Sequence, residues 1–475
     1  MASRVGLAIV VLAAGASCEN RADAPVDHRE AALAADVRIA KVSLYQGVEK
    51  NLYKGPGVNI RGVVSPPIVL GREATVRIAV EAERPLSWVP RQLAVVMSYR
   101  DSEFETLLSE VVLAEGDWSD GALDTTIQFR IPPERVTQDM VLEVSVHELS
   151  GAAAPLAPDA PQRWSSETTG LDFSQSDTLS LHVFPIQYDA DGSGRVPDTG
   201  PERLAEIREK FLAMYPVQEV NIVVEQRIPW NTPISASGAG WGEVLTEMSS
   251  RRAAATDIPE NSYFYALFDP VAEAGAYCPY GCILGLSLVP PSASDTWARA
   301  SIGVGYGRWA VDTMLHEVGH AHGRQHAPCD VPQADPEYPY QGGGIGSFGF
   351  DLGTQELAHP DAHADFMGYC TKSWVSDYTF DALLQRVKVL RTPSRSAKTD
   401  WQMLTVGADG TATLGDVVRQ SVAPASEIAP FDLRDAEGKV VGRTQGYFLP
   451  FDHIDGGLAL IPPAGAGVVS ATLVP

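Results

Sequence analysis

The sequence has few basic residues, few cysteines and no long hydrophobic run, and each shortage excludes a class of protein. Its 36 Lys and Arg stand against 60 Asp and Glu, which gives a net charge of −24. Because binding to phosphate backbones needs clustered cations, this balance argues against nucleic acid as a partner. No stretch is apolar and long enough to predict a transmembrane helix. A chain of 475 residues, 45% of them hydrophobic, is instead expected to form several globular domains.

The N-terminus has the pattern of an export signal. Arg4 precedes an apolar run, Val5 to Ala16, which is long enough for a signal peptide and too short to span a bilayer. The run ends in Gly15-Ala16-Ser17-Cys18, which resembles a bacterial lipobox. This resemblance implies that Cys18 is lipidated and anchors the protein in a bacterial outer membrane or at the cell surface. Cleavage nearby by ordinary signal peptidase, which would give a secreted protein, is the alternative.

One short stretch has the spacing of a metal site. His316 and His320 lie four residues apart, so on a helix they are about 40° apart around the axis and face one ion together. Gly323 tolerates a left-handed backbone, which would end the helix and return the chain so that His326 supplies a third nitrogen. Three neutral imidazoles leave zinc one open position, with Glu317 placed to take a proton there.

This extended motif resembles the metzincin clan of zinc endopeptidases. The resemblance implies a single catalytic Zn²⁺ held by the three histidines, with Glu317 as general base and then general acid. It also implies a methionine in a tight turn beneath the metal, for which Met367 is the candidate. Tyr369 has the offset at which a tyrosine in some branches approaches the zinc and helps to hold the oxyanion. His322 lies off the ligand face of the helix and is expected to be a solvent-facing or supporting residue.

The cysteines agree with an exported protein. If Cys18 carries lipid, an even number remains, and all four lie near the metal motif: Cys278, Cys282, Cys329 and Cys370. Three pairings are open. The pairing of Cys278 with Cys282 and of Cys329 with Cys370 is favoured because the second bridge would join the end of the zinc motif to the Met367 turn. A cysteine zinc site is the rival interpretation, although the spacing of Cys278 and Cys282 is not that of zinc ribbons.

Hydrophobic patterning predicts a multidomain chain, with a central α+β metzincin-like catalytic domain between an N-terminal β-sandwich and a small C-terminal β domain. Val76, Ile78 and Val80 alternate with polar neighbours as in a strand, and Asp409-Gly410 predicts a hairpin. The turn Asp189–Gly194 imitates the start of a calcium loop but lacks its final Glu, so calcium is a minor option. The predicted order is signal peptide 1–18, tether 19–36, immunoglobulin-like β-sandwich 37–149, linker 150–178, zinc protease domain 179–395 and C-terminal β domain 396–475.

The sequence therefore predicts an exported zinc metalloendopeptidase that hydrolyses peptide bonds of extracellular proteins or glycoproteins. The alternative is a cell-surface binding or adhesion lipoprotein with an inactive zinc domain. The intact Glu317 argues against this alternative, because a purely structural zinc site needs no base. The substrate, the metzincin subfamily and the roles of the two β domains cannot be derived from the sequence.

Overall fold

The structure is a computed structural model that describes residues 6–9, 27–83, 88–115, 117–149, 160–391, 398–420 and 427–474. Cys18, most of the predicted signal peptide and parts of the predicted tether and linker lie outside these ranges. Within them the protein is multidomain and mostly β, with five α-helices. No helix in these ranges has the length and hydropathy needed to cross a membrane. The chain forms two compact units: Met1–Gln175 with Gly344–His363 and Trp374–Asp381, and Ser176–Gly343 with Ala364–Ser373 and Ala382–Pro475.

The first unit is built mainly from antiparallel strand pairs. Its strands before residue 176 are β1 Gly6–Ile9, β2 Val37–Tyr45, β3 Gly47–Lys54, β4 Ile68–Val69, β5 Ala74–Ala82, β6 Arg91–Arg100, β7 Phe104–Ala114, β8 Ile127–Ile131, β9 Val141–Glu148, β10 Arg163–Ser165 and β11 Phe173–Ser174. One sheet has the order β1-β7-β6-β9-β10, in which β1 alone is parallel to its neighbour, and β4 and β11 form a separate parallel pair. Val95 and Val144 of this sheet share a buried core with Val76 and Ile78 of strand β5, which belongs to a second sheet. Alternating apolar side chains thus bury one face of each sheet.

The second unit begins with a mostly parallel sheet and the helices that cover it. Its elements are β12 Thr178–Tyr188, α1 Pro201–Met214, β13 Glu219–Val224, β14 Ile228–Trp230, α2 Trp241–Ala254, β15 Tyr263–Phe268, α3 Ala274–Tyr277, β16 Gly285–Ser287, β17 Ala300–Val304 and α4 Gly307–Ala321. The strand order is β13-β12-β15-β17-β16, and β14 also pairs with β12. Only the last neighbour pair of that order, β17 with β16, is antiparallel. Parallel strands need crossover connections, which the helices supply.

The segment after α4 contains short strands and one more helix. These are β18 Gly349–Asp351, β19 Glu356–Ala358, β20 Ala364–Asp365, β21 Ser373–Trp374 and α5 Asp377–Leu390. Strand β18 pairs with β3 and extends the second sheet of the first unit to β19-β18-β3-β2-β5-β8. Residues 344–363, which fall within the predicted protease domain, therefore belong to the first compact unit.

The C-terminal strands close into a six-stranded barrel. They are β22 Thr399–Val406, β23 Thr411–Gln420, β24 Glu427–Arg434, β25 Val440–Pro450, β26 Gly457–Ile461 and β27 Ser470–Leu473, in the closed order β22-β23-β27-β24-β25-β26. The predicted hairpin at Asp409-Gly410 is confirmed: it joins β22 to β23, and Gly410 has a φ of +78° that suits glycine. Because the barrel is closed, none of its six strands is left as an unpaired edge strand.

The barrel belongs to the same compact unit as the parallel sheet and shares its hydrophobic core. Met403 and Leu460 of the barrel are fully buried in one cluster with Trp241 and Met248 of α2. A hydrogen bond of 2.6 Å joins the hydroxyl of Thr405 to α2 as well. The barrel is therefore fixed against α2 by apolar burial, which is the largest stabilising term in such contacts.

Candidate metal centre

Helix α4 carries the first two histidines of the predicted site. His316 and His320 lie one turn apart on its buried face, with ring centroids 4.6 Å apart. Beyond the helix Gly323 has a φ of +84°, and a Cβ at this position would overlap the guanidinium of Arg386. The chain turns back at Gly323, as the spacing predicts, and brings the ring of His326 to 4.6 Å from that of His320.

The three imidazoles point the same ring atom at each other. The Nε2 atom of His320 lies 3.0 Å from that of His316 and 3.1 Å from that of His326. Each opposite nitrogen, Nδ1, faces a backbone carbonyl oxygen, which can only accept a hydrogen bond. In the order His316, His320 and His326, these carbonyls are Phe366 at 2.8 Å, Arg324 at 2.7 Å and Gln333 at 3.3 Å.

This arrangement fits a metal ion. Because each Nδ1 must donate to its carbonyl, each neutral ring has its lone pair on Nε2, and three lone pairs converge on one point. Burial lowers the pKa of His316 and His320 well below the usual range and that of His326 to about 4, so the rings are neutral. Three lone pairs at this separation repel one another, and a cation between them relieves the repulsion.

Glu317 lies beside this cluster and is almost completely buried, with 1% of its surface exposed. A Cβ on Gly285 of β16 would overlap its carboxylate, so the strand can approach this closely only with glycine there. For the protein groups alone, burial raises the pKa of Glu317 to about 8. A bound cation would act in the opposite direction, because it favours the ionised carboxylate.

The predicted methionine turn lies under α4. Met367 is fully buried, and its sulfur lies so close to Gly319 that no side chain would fit at that position. The turn is held by Asp365, whose Oδ1 accepts a hydrogen bond of 2.8 Å from the Met367 amide. It is also held to the third-ligand segment, because the amide of Ala327 donates to the carbonyl of Met367 at 3.0 Å.

The two disulfides are Cys278 with Cys282 and Cys329 with Cys370, the pairing that the sequence favours. The second bridge closes the segment between the third histidine and the residue after Tyr369. It therefore holds the segment around His326 and the Met367 turn together, in addition to their backbone hydrogen bonds.

Two further residues of the site come from the barrel, and sequence reasoning missed both. Asp452 and His453 lie in the turn between β25 and β26. His453 Nε2 is 3.1 Å from Oε1 of Glu317 and 3.3 Å from Oδ2 of Asp452, and this Oδ2 is 3.4 Å from Nε2 of His320. Within the part of the chain that the structure describes, His453 groups with the three predicted histidines, and also with Glu317, His320 and Asp452, as a set able to hold a metal ion.

Tyr369 reaches the same cluster from the Met367 turn. Its hydroxyl lies 2.5 Å from Nδ1 of His453 and 3.3 Å from Nε2 of His326. Burial of the hydroxyl raises the pKa of Tyr369, so it remains protonated beside His453. The tyrosine ring itself is 46% exposed, which makes this the side of the site nearest to solvent.

Other candidates lie apart from the cluster. His322 is only 2% exposed and stacks on Tyr263, with ring centroids 4.2 Å apart, so the solvent-facing interpretation is wrong. Its position just after α4 turns the ring into the protein instead of toward solvent. In the turn considered for calcium, Oδ2 of Asp191 forms an ion pair with Arg195 at 2.6 Å. Within the described residues, this turn does not bring three or more metal-binding side chains together.

Comparison with known proteins adds little to this description. No protein-family model matches the chain, and no curated protein matches it. One similar solved structure is described as the structure of a chaperone-substrate complex, with 12% sequence identity and a TM-score of 0.23. The alignment covers 56% of this chain and 40% of that one, and a likeness of this size bears on neither fold nor function.

Proposed function

We propose that the chain is a metzincin-like zinc metalloendopeptidase. The observation that carries this proposal is the convergence of three Nε2 lone pairs, each oriented by an Nδ1 hydrogen bond to a carbonyl, next to a buried glutamate. His316, His320 and His326 would hold the ion, and nitrogen-only donor sets of this kind suit zinc. When bound, zinc would polarise both the attacking water and the scissile carbonyl.

The protein side chains supply the rest of the chemistry. Glu317 Oε2 is buried and receives no hydrogen bond from an N–H or hydroxyl group among the described residues, and the carboxyl lies beside that of Asp452. We propose that this oxygen accepts the proton of the attacking water. The same carboxyl would then deliver that proton to the leaving amine. The hydroxyl of Tyr369, on the more exposed side, contacts His453 in this structure and would turn away from it to donate its single hydrogen bond to a developing oxyanion.

The surrounding sheet supports a peptide substrate. Strand β16 is antiparallel to its neighbour β17 and passes next to Glu317, at the end of the strand order. An edge strand beside a catalytic site can pair with an extended peptide, and we propose that β16 does so ahead of Ser287, whose amide is already bonded to Asp452. We propose proteins or glycoproteins outside the cell as substrates, and a lipid on Cys18 as the membrane attachment.

Glu317→Gln tests this function. The substitution removes the base but keeps the shape and the three imidazoles, so zinc should bind with unchanged stoichiometry. Loss of general acid-base catalysis is worth about 10² to 10⁴-fold, and cleavage should fall by at least that factor. A chelator should silence the wild type and added zinc should restore it. The measurement is cleavage-site mapping on a denatured proteome.

If the fully zinc-loaded wild type cleaves nothing, or if Glu317→Gln cleaves as fast, the protease proposal fails. The adhesion alternative would then be the better account, with the metal centre as a structural element.

A further inference from the structure

The two oxygens of Glu317 have different surroundings. Oε1 is 3.1 Å from Nε2 of His453, whereas Oε2 receives no hydrogen bond from an N–H or hydroxyl group among the described residues; the carboxyl also lies against that of Asp452. A carboxylate with one oxygen held and one free has a defined orientation. The held oxygen fixes the rotation of the side chain, and the free oxygen is the one that can exchange a proton.

His453 is itself oriented from its other nitrogen. We assign the proton of the neutral ring to Nε2, because Oε1 of Glu317, an acceptor once ionised, faces that nitrogen, and the hydroxyl of Tyr369 can then donate to Nδ1. Oδ2 of Asp452, 3.3 Å from the same Nε2, adds a second oxygen toward which an N–H at this position can point. The donor that reaches Glu317 is therefore set by two neighbours.

The turn that carries His453 is fixed to the rest of the unit. Oδ1 of Asp452 accepts a hydrogen bond of 3.0 Å from the amide of Ser287 at the end of β16. The next residue back, Phe451, forms an antiparallel bridge with Leu288. The ring of Phe451 is 8% exposed and belongs to the core shared by the barrel and α2. Backbone pairing and apolar burial thus hold the turn in place.

From these contacts we infer that His453 is a positioning residue for Glu317: its Nε2–H holds Oε1 and leaves Oε2 free to accept the proton. This inference rests on the proposed protease function. It gives the C-terminal barrel a role, because the active centre is incomplete without the turn that the barrel supplies. His453 also lies within the group of side chains able to hold a metal ion, and the inference assigns it to Glu317 because its Nε2 faces Oε1.

The test compares His453→Ala with His453→Gln in the full-length zinc-loaded chain, with Asp455→Ala in the same turn as an exposed control. Lost outer partners of metal sites typically cost 10 to 100-fold in activity, so His453→Ala should lower kcat by about this factor. KM and zinc content should hardly change. His453→Gln, whose amide can donate in place of Nε2–H, should recover part of the loss, and Asp455→Ala should behave as wild type.

An unchanged kcat in His453→Ala would overturn the inference. A higher kcat would also overturn it and would mean that the turn obstructs the site. A large fall in zinc affinity, measured by competition with a chromophoric chelator, would make His453 a ligand instead.

A spectroscopic measurement separates this inference from the protease proposal. In ¹⁵N-histidine-labelled, zinc-loaded protein, the Nε2-bound proton of His453 should give a protected signal that shifts or disappears in Glu317→Ala. This readout needs no substrate. If the wild type cleaves nothing yet the signal behaves in this way, the contact stands and only the protease function fails; if the signal is absent or unaffected, the contact is wrong.

Discussion

The two parts of the metal centre differ in how the chain builds them. The α4 part, residues 316–326, is local: one helix and one glycine turn place three ligands and the glutamate within eleven residues. The barrel part, Asp452 and His453, comes from a turn more than 120 residues further along the chain. The local part is fixed by helix geometry and by backbone carbonyls at each Nδ1. The barrel part is fixed by a shared core and a strand pairing.

This difference separates binding from orientation. The α4 part contains the three nitrogens proposed to hold the metal, so metal affinity should depend mainly on it. The barrel part contains the partner of Glu317 Oε1 among the described residues, so the proposed proton transfer should depend on the barrel. Changes in the two parts should therefore be separable by measuring zinc affinity and kcat independently.

The largest expected effect concerns how the barrel is held. Phe451, next to the functional turn, and Phe431, inside the barrel, are both buried aromatic residues in different cores. Because truncating a buried Phe costs about 3 to 5 kcal/mol, both Phe451→Ala and Phe431→Ala should lower the free energy of unfolding by about this amount. Only Phe451→Ala should also lower kcat of the folded fraction, since only it releases the turn from β16.

Chemical denaturation and kcat measured below the unfolding transition check this pair. Phe431→Ala serves as the matched control, with a similar loss of stability at a distance from the turn. Equal kcat losses in the two variants would show that general destabilisation, not the position of the turn, limits activity.

Much of the local part was predictable because its physics is local. Helical spacing determines that His316 and His320 share a face, and Gly323 has the left-handed backbone that the motif requires. The pairing of Cys329 with Cys370 was favoured from the position of the Met367 turn. Each of these features depends on one short stretch of chain, or on the order in which the zinc motif and the Met367 turn follow one another.

The barrel part was not predictable, because its position depends on contacts between distant parts of the chain. His453 stands in no motif, and its only sequence signal is that no other histidine occurs after His363. Its role depends on how the barrel packs against α2, which is set by scattered apolar residues such as Met403 and Leu460. Residues 344–363 likewise join the first unit through pairing of β18 with β3, which no local pattern indicates.

A second comparison concerns the two buried carboxyls, one from each part. Burial raises the pKa of Glu317 from its ordinary 4.5 to about 8, and burial raises that of Asp452 well above its usual range. A raised pKa means that the folded state prefers the protonated acid, so the metal-free protein loses stability as pH rises from about 4.5 toward 8. Glu317→Gln and Asp452→Asn should each remove part of this loss.

At pH 8 the free energy of unfolding of each metal-free variant should therefore exceed that of the metal-free wild type by up to a few kcal/mol. At pH 4 the difference should be small. Denaturation curves across this pH range, in the presence of chelator, provide the measurement. Glu437, an exposed acid in the turn between β24 and β25 of the barrel, supplies the control as Glu437→Gln. Equal stabilities of wild type and Glu317→Gln at pH 8 would contradict the assignment of a buried, destabilising carboxyl.

The smallest expected effect concerns the two disulfides, which lie outside the barrel part. The bridge Cys329 to Cys370 spans 41 residues and the bridge Cys278 to Cys282 spans 4, whereas the described barrel turn is held without a disulfide. The chain-entropy estimate gives about 4 kcal/mol for the longer loop and about 2 kcal/mol for the shorter one. Replacing each pair with serine should therefore lower the free energy of unfolding by about 2 kcal/mol more for the Cys329 pair, measured by denaturation of the zinc-loaded protein.

Because the Cys329 to Cys370 bridge ties the His326 segment to the Met367 turn, its loss should also speed zinc release to a chelator, while loss of the Cys278 pair should not. Equal zinc release from the two variants would mean that backbone hydrogen bonds alone, such as that from Ala327 to Met367, keep the third ligand in place.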